Sequence, residues 1–300
     1  MEKQESLLVG FHEKNGRYVN TTTHCKILHL AISEKIIALS QLINSLTIRK
    51  QLPQLEVACG DQTAAIVLRN LLPLTSADLS KIASFANQHQ LKIYQQPHGP
   101  DTVQFIAGPI APLSYQLPDH QLTIEFEPTD FIQVNAEVNQ KLVNLVCTLL
   151  NPQKNNRILD LFCGIGNFTL PLAKKVNHIV GVEGSTAAVA RAQHNACQNN
   201  LANVEFYSAD LTKENSAATW KQQSYDQIIL DPPRTGAKEL CSQIQNFGAQ
   251  EIIYISCNPA TLARDTQLLQ QQGYLPVAIH VADMYPHTKH LEAVIKFTRC

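Results

Sequence analysis

The stretch RILDLFCGIGNF, Arg157 to Phe168, decides the fold of this 300-residue chain. It joins an apolar strand, RILDLF, to a loop that contains Gly164 and Gly166, and the segment LPLAKK that follows is predicted to be helical. The two glycines let the backbone come close to a ligand, and the N-terminus of the helix offers free N–H groups. A strand, a glycine loop and a helix in this order are typical of open α/β sheets, which bind ligands at the carboxyl ends of their strands.

The chain from Asn135 onward alternates apolar strands with helices, which indicates a parallel sheet covered on both faces. The other predicted strands are HIVGVE, VEFYSA, YDQIILD, EIIYIS, YLPVAIHVA and LEAVIKFTR. Because the last two of them run almost back to back, we expect an antiparallel hairpin at one edge. Residues 128–300 are therefore predicted to form a doubly wound, mostly parallel α/β sheet of the Rossmann-like type.

Residues 1–127 contain shorter apolar runs and are predicted to form a smaller α+β domain. One helix is predicted from Ser76 to Gln90, with Ser76 as its cap, and a second from Ser33 to Leu46. Gly60-Asp61 is a predicted hairpin turn. The predicted strands of this half include LEVACG, AAIVLRNL, LKIYQQ, VQFIAG and LTIEFEP.

The composition favours a soluble globular protein, with 44% hydrophobic and 16% charged residues. We expect neither a membrane span nor a signal peptide, because there is no run of about 18 apolar residues and no basic-then-apolar leader. A net charge of -1 does not favour a free-standing RNA-binding module, so any RNA contact requires a local patch. The eight cysteines contain no CxxC or CxxxC pair, which argues against a zinc site and a disulfide framework.

Acidic residues at the ends of further strands indicate the class of ligand. Glu183 ends the second strand, where a carboxylate can accept both hydroxyls of a ribose, and Asp210 follows the third strand, placed to meet an adenine amino group. A dinucleotide fingerprint, GxGxxG, is the alternative, but its third glycine position is Thr169 here. The loop also lacks a phosphate-binding lysine. This pattern favours S-adenosylmethionine over NAD or ATP, although NAD enzymes share the strand-end acids.

The fourth strand leads into DPPRTG, Asp231 to Gly236. An acid or amide before two prolines is typical of methyltransferases that act on exocyclic amines. Those enzymes carry an aromatic residue after the prolines, where this chain has Arg234. A rigid turn after a strand is the alternative interpretation.

A single cysteine ends the fifth strand, in ISCNPATLARD, Ile255 to Asp265. The Asn-Pro that follows Cys257 is predicted to start a helix, whose dipole is expected to lower the thiol pKa and favour a thiolate nucleophile. The alternative is a buried cysteine such as Cys147 or Cys197. Those two lie within predicted helices, whereas Cys257 lies at the ligand-binding edge of the sheet.

A nucleophilic cysteine beside a methyl donor suits uracil, whose C5 is by itself a poor nucleophile. Addition of a thiolate at C6 creates an enolate that is nucleophilic at C5, and a base must then remove the C5 proton after methylation. Glu292, in DMYPHTKHLEAV, is the candidate base. His287 and His290 are interpreted as loop residues rather than metal ligands.

These motifs together resemble the RNA 5-methyluridine methyltransferases along the whole chain. They are FIQVN (131–135), LDLFCGIGNFTLPLA (159–173), VGVEG (180–184), DPPRTGA (231–237), SCNPATLARD (256–265) and MYPHTKHLE (284–292). DFIQVNAEVNQKLV and the Pro-His-Thr before Glu292 look more like the members that act on 23S ribosomal RNA than those that act on tRNA. The resemblance implies a class I S-adenosylmethionine-dependent methyltransferase fold behind an RNA-contacting central domain.

The resemblance also implies roles for single residues. Six would hold S-adenosylmethionine: Gln133, Phe162, Asn167, Glu183, Asp210 and Asp231. Cys257 would attack uracil C6, and Glu292 would take the C5 proton. The implied activity is methylation of uridine C5 in 23S ribosomal RNA by a cytoplasmic monomer. A tRNA uracil-5-methyltransferase and an inactive remnant that binds cofactor or RNA remain alternatives.

Two features of the family are expected to be missing. No segment corresponds to its N-terminal TRAM domain, a small β-barrel that grips RNA. The family also carries a [4Fe–4S] cluster on four cysteines, and only Cys25 matches one of them, the last. Since four thiolates are needed, this chain is not expected to hold the cluster. The sequence therefore looks like the central and catalytic domains of the family.

Overall fold

The protein divides into two compact units in a computed structural model that describes residues 7–13, 16, 18–213, 218–288 and 290–300. The first unit comprises the residues up to Tyr115 together with Phe126–Thr129, and the second comprises Gln116–Glu125 together with Asp130–Cys300. The predicted domain boundaries, 1–127 and 128–300, stay a prediction, because the two units alternate along the chain between Gln116 and Thr129.

The first unit is an α+β unit built on a four-stranded sheet in the order β3-β4-β5-β6. The strands β4 and β5 are parallel and are connected through α3, whereas β3 and β6 pair antiparallel with their neighbours. The strands β1 and β2 form a separate antiparallel pair. In chain order the elements are β1 (Gly10–His12), β2 (Val19–Thr21), α1 (Leu30–Ser33), α2 (Ile36–Ser45), β3 (Gln54–Cys59), β4 (Ala64–Arg69), α3 (Ser76–His89), β5 (Leu91–Gln96) and β6 (Gln104–Ala107).

Two helices of this unit differ from the prediction. The helix predicted from Ser33 to Leu46 corresponds to α2, which begins only at Ile36; Ser33 is instead the last residue of α1, and its buried hydroxyl bonds the backbone of Cys25. The predicted cap of α3, Ser76, is wrong, since Thr75 caps the helix. Counted from Thr75, the third helical residue is Asp78, whose carboxylate accepts the Thr75 N–H while its own N–H donates to the Thr75 hydroxyl.

The second unit contains a seven-stranded sheet in the order β11-β10-β9-β12-β13-β15-β14. The five strands from β11 to β13 in this order are parallel, and β15 lies antiparallel between β13 and β14. Its elements are α4 (Ala136–Leu150), β9 (Arg157–Leu161), α5 (Thr169–Ala173), β10 (His178–Glu183), α6 (Thr186–Gln198), β11 (Val204–Ser208), β12 (Gln227–Leu230), α7 (Lys238–Cys241), β13 (Glu251–Ser256), α8 (Pro259–Gln271), β14 (Tyr274–Ala282) and β15 (Glu292–Arg299).

The strands β9, β10, β12 and β13 lie in the middle of this sheet and are buried almost throughout, as expected for strands covered on both faces. The doubly wound, Rossmann-like fold with an antiparallel terminal hairpin is confirmed. The sequence did not indicate that the final strand enters the sheet between β13 and β14. This insertion determines which residue lies opposite Cys257, as described below.

The strands β7 (Leu113–Leu117) and β8 (Leu122–Phe126) form a two-stranded sheet. Within the second unit, two asparagines at the C-terminal end of α6, one in the helix and one directly after it, bond the free edge of β8. Asn199 accepts the N–H of Thr123 and donates to its carbonyl, and Asn195 does the same for Glu125. The two amides therefore replace a neighbouring strand along this edge.

Single turns of 3₁₀ helix complete the description, at Arg49–Gln51, Pro100–Thr102, Pro118–His120, Thr219–Gln222 and Ile244–Phe247. In the described part of the chain, no helix combines the length and the apolar character that a membrane crossing requires.

Candidate active site

The glycine loop connects β9 to α5 and has a backbone that faces open space. Its residues Phe162, Gly164 and Gly166 all have positive φ, at 65°, 54° and 98°. The N–H groups of Phe162 and Cys163 both donate to the carbonyl of Val182, so the loop bends over the end of β10. A Cβ added to Gly164 would meet no atom within 4 Å. The loop thus leaves room for a ligand against its backbone.

Glu183 is held at the end of β10 by backbone donors on both sides. One carboxylate oxygen accepts the N–H of Gly164 at 3.2 Å, and the other accepts the N–H of Ser185 at 2.9 Å. The side chain is half-buried, and each oxygen keeps a lone pair for a further donor. Glu183 is therefore oriented at the glycine loop, where the ribose hydroxyls of a nucleoside would need an acceptor.

Asn167 and Gln133, two residues assigned from the family resemblance, lie near the start of α4. The amides of Asn167 and Asn139 donate to each other at 2.9 and 3.0 Å, which connects the glycine loop to α4. Gln133 precedes Asn135, the residue that caps α4. The side-chain oxygen of Gln133 is buried and has no hydrogen-bond partner among the described residues, so it is an acceptor in need of a donor.

Asp210 follows β11 and is the most exposed of the predicted ligand residues. Its carboxylate accepts the N–H and the hydroxyl of Thr212 and lies 2.9 Å from Lys213 Nζ. These partners lower the pKa of Asp210 to about 2, with the Thr212 hydrogen bond as the largest cause. The carboxylate is therefore ionised at neutral pH and able to accept a further donor such as an adenine amino group.

Asp231 begins the loop DPPRTGA, residues 231–237, which we call the proline loop. The N–H of Asp231 donates to the carbonyl of Leu161 at 3.3 Å, so the loop starts beside the end of β9. Burial, followed by the charges of Glu292 and Asp160, raises the pKa of Asp231 well above its ordinary value. Three carboxyl groups thus share this part of the sheet edge.

Asp160 is one of those three carboxyl groups and was named in the glycine-loop motif without a role. It is fully buried, and one of its oxygens accepts the Thr169 hydroxyl at 2.5 Å. The other oxygen has no partner among the described residues, and burial raises the pKa of Asp160 to about 7. The sequence did contain a signal for Asp160, namely an acidic residue inside an otherwise apolar strand. Because such a strand is buried on both faces, an acid within it is expected to be buried as well.

Cys257 and Glu292 come together through the pairing of β13 with β15. Ser256, the last residue of β13, pairs with Ala293 in this antiparallel ladder, and extending the register by one position places Cys257, directly after the strand, opposite Glu292, the first residue of β15. The charge of Glu292 is among those that act on the Cys257 thiol. The Glu292 side chain is buried, and burial raises the pKa of its carboxyl.

The expected low pKa of the Cys257 thiol is wrong for the protein without a bound ligand. Asn258 caps α8 and Pro259 opens it, as predicted. However, burial and then the charge of Glu292 raise the thiol pKa above its ordinary value of 9.0, and they outweigh the opposite effect of Arg234. The sequence motif indicated that Cys257 lies at the N-terminus of a helix, but it did not indicate that the fold places the Glu292 carboxylate opposite the thiol.

Two further side chains belong to this site, and the sequence did not assign them a role. The charge of Arg234 acts on the Cys257 thiol, and its carbonyl accepts a hydrogen bond from the Asn258 amide at 2.9 Å. Tyr285 is half-buried, and burial together with the charges of Glu292 and Cys257 raises its pKa. Its ring packs edge-on against His290, with centroids 6.1 Å apart. Its position in the motif MYPHTKHLE, as an aromatic residue close to Glu292, could have indicated from the sequence that Tyr285 belongs to the site.

The structure therefore gathers most of the predicted site residues at the carboxyl edge of one sheet. Cys25, in the first unit, is half-buried and exchanges backbone hydrogen bonds with the Ser33 hydroxyl. Among the residues that the structure describes, no three His, Cys, Asp or Glu side chains are grouped to hold a metal ion. The described residues do not fit a [4Fe–4S] cluster, which requires four ligands.

Comparison with known proteins relates this site to curated enzymes. A family profile described as tRNA (uracil-5-)-methyltransferase matches residues 112–300. The chain is 44% identical to the 23S rRNA (uracil(1939)-C(5))-methyltransferase RlmD of Alkalilimnicola ehrlichii, over 99% of this chain and 67% of that protein. It is 45% identical to RlmD of Hahella chejuensis, over 99% of this chain and 68% of that protein. The chain thus spans about two thirds of the length of these relatives.

Among solved structures, the tRNA (uracil-54, C5)-methyltransferase of Pyrococcus abyssi in complex with S-adenosyl-L-homocysteine has a similar fold. The TM-score is 0.74 and the identity 24%, over 94% of this chain and 70% of that one. At this identity the likeness concerns the fold alone, and it agrees with a methyltransferase sheet. The profile match over residues 112–300 and the identity to full-length relatives lead to one conclusion: the chain belongs to the tRNA (uracil-5-)-methyltransferase family.

Proposed function

We propose that this protein transfers a methyl group from S-adenosylmethionine to C5 of a uridine in 23S ribosomal RNA. Support comes from the family, from relatives at 44–45% identity that are named 23S rRNA uracil-C5-methyltransferases, and from the site itself. The observation that carries the proposal is the position of Cys257 opposite Glu292. This pairing brings a thiol and a carboxyl group to the sheet edge at which the glycine loop leaves room for a ligand.

The glycine loop fits S-adenosylmethionine. Open space borders Gly164, both oxygens of Glu183 are oriented beside it, and the buried Gln133 oxygen has no partner in the described part of the chain. Glu183 would accept the ribose hydroxyls, Asp210 the adenine amino group, and Phe162, Asn167 and Asp231 would complete the binding site. When bound, the cofactor supplies an electrophilic methyl group on its sulfonium.

The reaction itself is assigned to two side chains. The Cys257 thiolate forms a bond to C6 of uracil, and the electron pair of the C5–C6 double bond moves toward O4, so that C5 becomes nucleophilic. C5 then takes the methyl group and carries both the methyl and a proton. The Glu292 carboxylate removes that proton, the C5–C6 double bond forms again, and the Cys257 thiolate leaves.

The raised pKa of Cys257 has a consequence for this mechanism. In the protein without RNA the thiol is mostly protonated at neutral pH, because burial and Glu292 disfavour a second negative charge. The reaction thus requires that the Cys257 thiol loses its proton before it attacks C6. Because Glu292 must be a free carboxylate when it removes the C5 proton, the thiol proton passes to solvent rather than staying on Glu292.

The target uridine has to leave its stack to reach a half-buried thiol. The first unit is proposed to contact the RNA, since a single-stranded or flipped nucleotide needs support outside the catalytic pocket. We also propose that the protein acts as a monomer in the cytoplasm, where ribosomal RNA is modified. Sedimentation of the protein alone and with RNA tests the monomer.

A tRNA is the second candidate substrate, since the matching family is described by tRNA and the similar Pyrococcus abyssi structure is a tRNA methyltransferase. Uracil chemistry at the site is the same for both RNAs. Purified tRNA and 23S ribosomal RNA incubated side by side with radiolabelled cofactor will separate them. We expect label in ribosomal RNA; label in tRNA alone would contradict the proposed substrate but not the chemistry.

The experiment that tests the chemistry is covalent trapping with RNA that contains 5-fluorouridine. Fluorine at C5 does not leave as a proton, so the Cys257 adduct should persist on a denaturing gel when cofactor is present. Cys257→Ala should abolish the adduct, and Cys197→Ala, which removes an exposed cysteine of α6, should leave it unchanged. If wild-type protein binds cofactor in calorimetry but forms no adduct, it is a binding protein without turnover.

A further inference from the structure

The proline loop is attached to α8 by side chains from one face of that helix. The amide of Asn258 donates to the carbonyl of Arg234 at 2.9 Å, and the Thr261 hydroxyl donates to the same carbonyl at 3.2 Å. Further along the helix, Arg264 donates to the carbonyl of Thr235 at 2.9 Å. The helix that starts directly after Cys257 therefore also holds the loop that starts with Asp231.

Asp265 lies beneath this attachment and is fully buried. One of its oxygens accepts the Ala237 N–H at 2.7 Å and the Tyr254 hydroxyl at 2.6 Å. The other accepts Arg264 Nε at 2.8 Å. A buried carboxylate with these three donors is fixed in orientation, because loss of any donor leaves a buried polar group unpaired.

Close packing around Asp265 restricts the backbone conformation of the proline loop at Gly236. Gly236 has φ of 77°, and a Cβ at that position would overlap the Asp265 carboxylate and the Arg264 guanidinium. Tyr254, the other partner of Asp265, lies on β13, three residues before Cys257, and is itself fully buried. The strand that ends at the thiol and the loop that begins with Asp231 therefore meet at one carboxylate.

We propose that Asp265 is a positioning residue for methyl transfer: it fixes the proline loop relative to Cys257. Through this carboxylate, the distance between the reacting thiol and the groups of the loop is set by buried hydrogen bonds rather than by an exposed turn. Asp265 acts only through Ala237, Tyr254 and Arg264, and touches neither RNA nor cofactor. This inference rests on the proposed function, since it concerns the Cys257 step of that reaction.

Asp265→Asn is the primary test, because it keeps the size of the side chain and removes the charge that Arg264 pairs with. We expect the single-turnover rate of adduct formation with 5-fluorouridine RNA, at saturating RNA and cofactor, to fall about tenfold or more, as for a misplaced reacting group. The dissociation constant for S-adenosylmethionine should change less than this rate, since of its proposed ligands only Asp231 lies in the proline loop. An unchanged rate in the folded variant would overturn the inference.

A purely structural role predicts a different outcome. Asn199→Ala removes partly buried hydrogen bonds of the residue that follows α6, at a distance from the thiol along the sheet, and supplies a variant of lowered stability. If adduct formation falls equally in Asp265→Asn and in Asn199→Ala at matched loss of melting temperature, the inference is wrong. If wild-type protein forms no adduct, the proposed function fails first and is identified as the cause.

A pair of buried tyrosines decides the question if Asp265→Asn does not fold. Tyr254→Phe removes only the hydroxyl that bonds Asp265, and Tyr274→Phe removes a hydroxyl that bonds the Ala249 carbonyl at 2.7 Å in the same sheet. Both side chains are fully buried, so the two variants lose comparable contacts. We expect slower adduct formation in Tyr254→Phe alone; equal rates would overturn the inference.

Discussion

Asn195→Ala is expected to destabilise the second unit by an amount that the hydrogen bonds define. The buried amide of Asn195 accepts the Glu125 N–H at 2.9 Å and donates to the carbonyls of Glu125 and Ile165 at 3.0 and 3.2 Å. Each bond contributes about 1 kcal/mol, and alanine regains about 0.5 kcal/mol of helix propensity. The net loss is thus about 2.5 kcal/mol, and more if the two carbonyls stay unpaired.

The protein contains a convenient reporter for this measurement. Trp220 is the single tryptophan, lies in the second unit, is buried, and stacks on Phe247 with ring centroids 5.9 Å apart. Urea unfolding followed by tryptophan fluorescence therefore reports this unit without a contribution from the first. The free energy of unfolding follows from linear extrapolation, provided that the slope is unchanged between variants.

The control is Gln198→Ala on the same helix, which removes one bond from an exposed side chain to the Glu125 carboxylate. We expect that change to cost less than about 0.5 kcal/mol. A loss below about 1 kcal/mol for Asn195→Ala, or a loss equal to that of the control, would refute the view that α6 amides replace a strand partner for β8. Since Ile165 belongs to the glycine loop, Asn195→Ala should also weaken cofactor binding in calorimetry.

Three further outcomes are expected. Glu292→Gln should still form the methylated adduct but release product more slowly by about 10²-fold or more, measured by single-turnover kinetics; unchanged turnover would exclude Glu292 as the base. The rate of Cys257 alkylation by iodoacetamide, measured by mass spectrometry of its peptide, should keep rising with pH above 9, because burial and Glu292 raise the thiol pKa. A rate that reaches a plateau near pH 7 would contradict this. Asp78→Asn should lower the free energy of unfolding at pH 7, and the difference from wild type should shrink as pH falls through about 4 toward 2. The reason is that hydrogen bonds from Thr47 and Thr75 lower the Asp78 pKa to about 2. Unfolding followed by circular dichroism measures this difference, and a difference independent of pH would refute the prediction.

Local patterns in the sequence predicted the elements of the second unit well. Strand composition, the glycine loop and the Asn-Pro after Cys257 all depend on neighbouring residues, and local backbone preferences determine them. The helix cap at Thr75 was missed for a related reason, because two adjacent residues were both suitable caps and only the carboxylate of Asp78 distinguishes between them. The α6 amides that bond β8 were also missed, since no periodicity reports a contact about 70 residues away in the chain.

The sequence by itself determined the chemical inventory of the site: a thiol after one strand, carboxylates after others, and a loop whose glycines admit a ligand. Tertiary structure alone decided their electrostatics. Because β15 enters the sheet beside β13, Glu292 lies opposite Cys257, and its charge together with burial raises the thiol pKa, where the helix terminus had predicted the reverse. The pKa depends on every charge within a few ångströms, and the fold, not the order of residues, sets those distances.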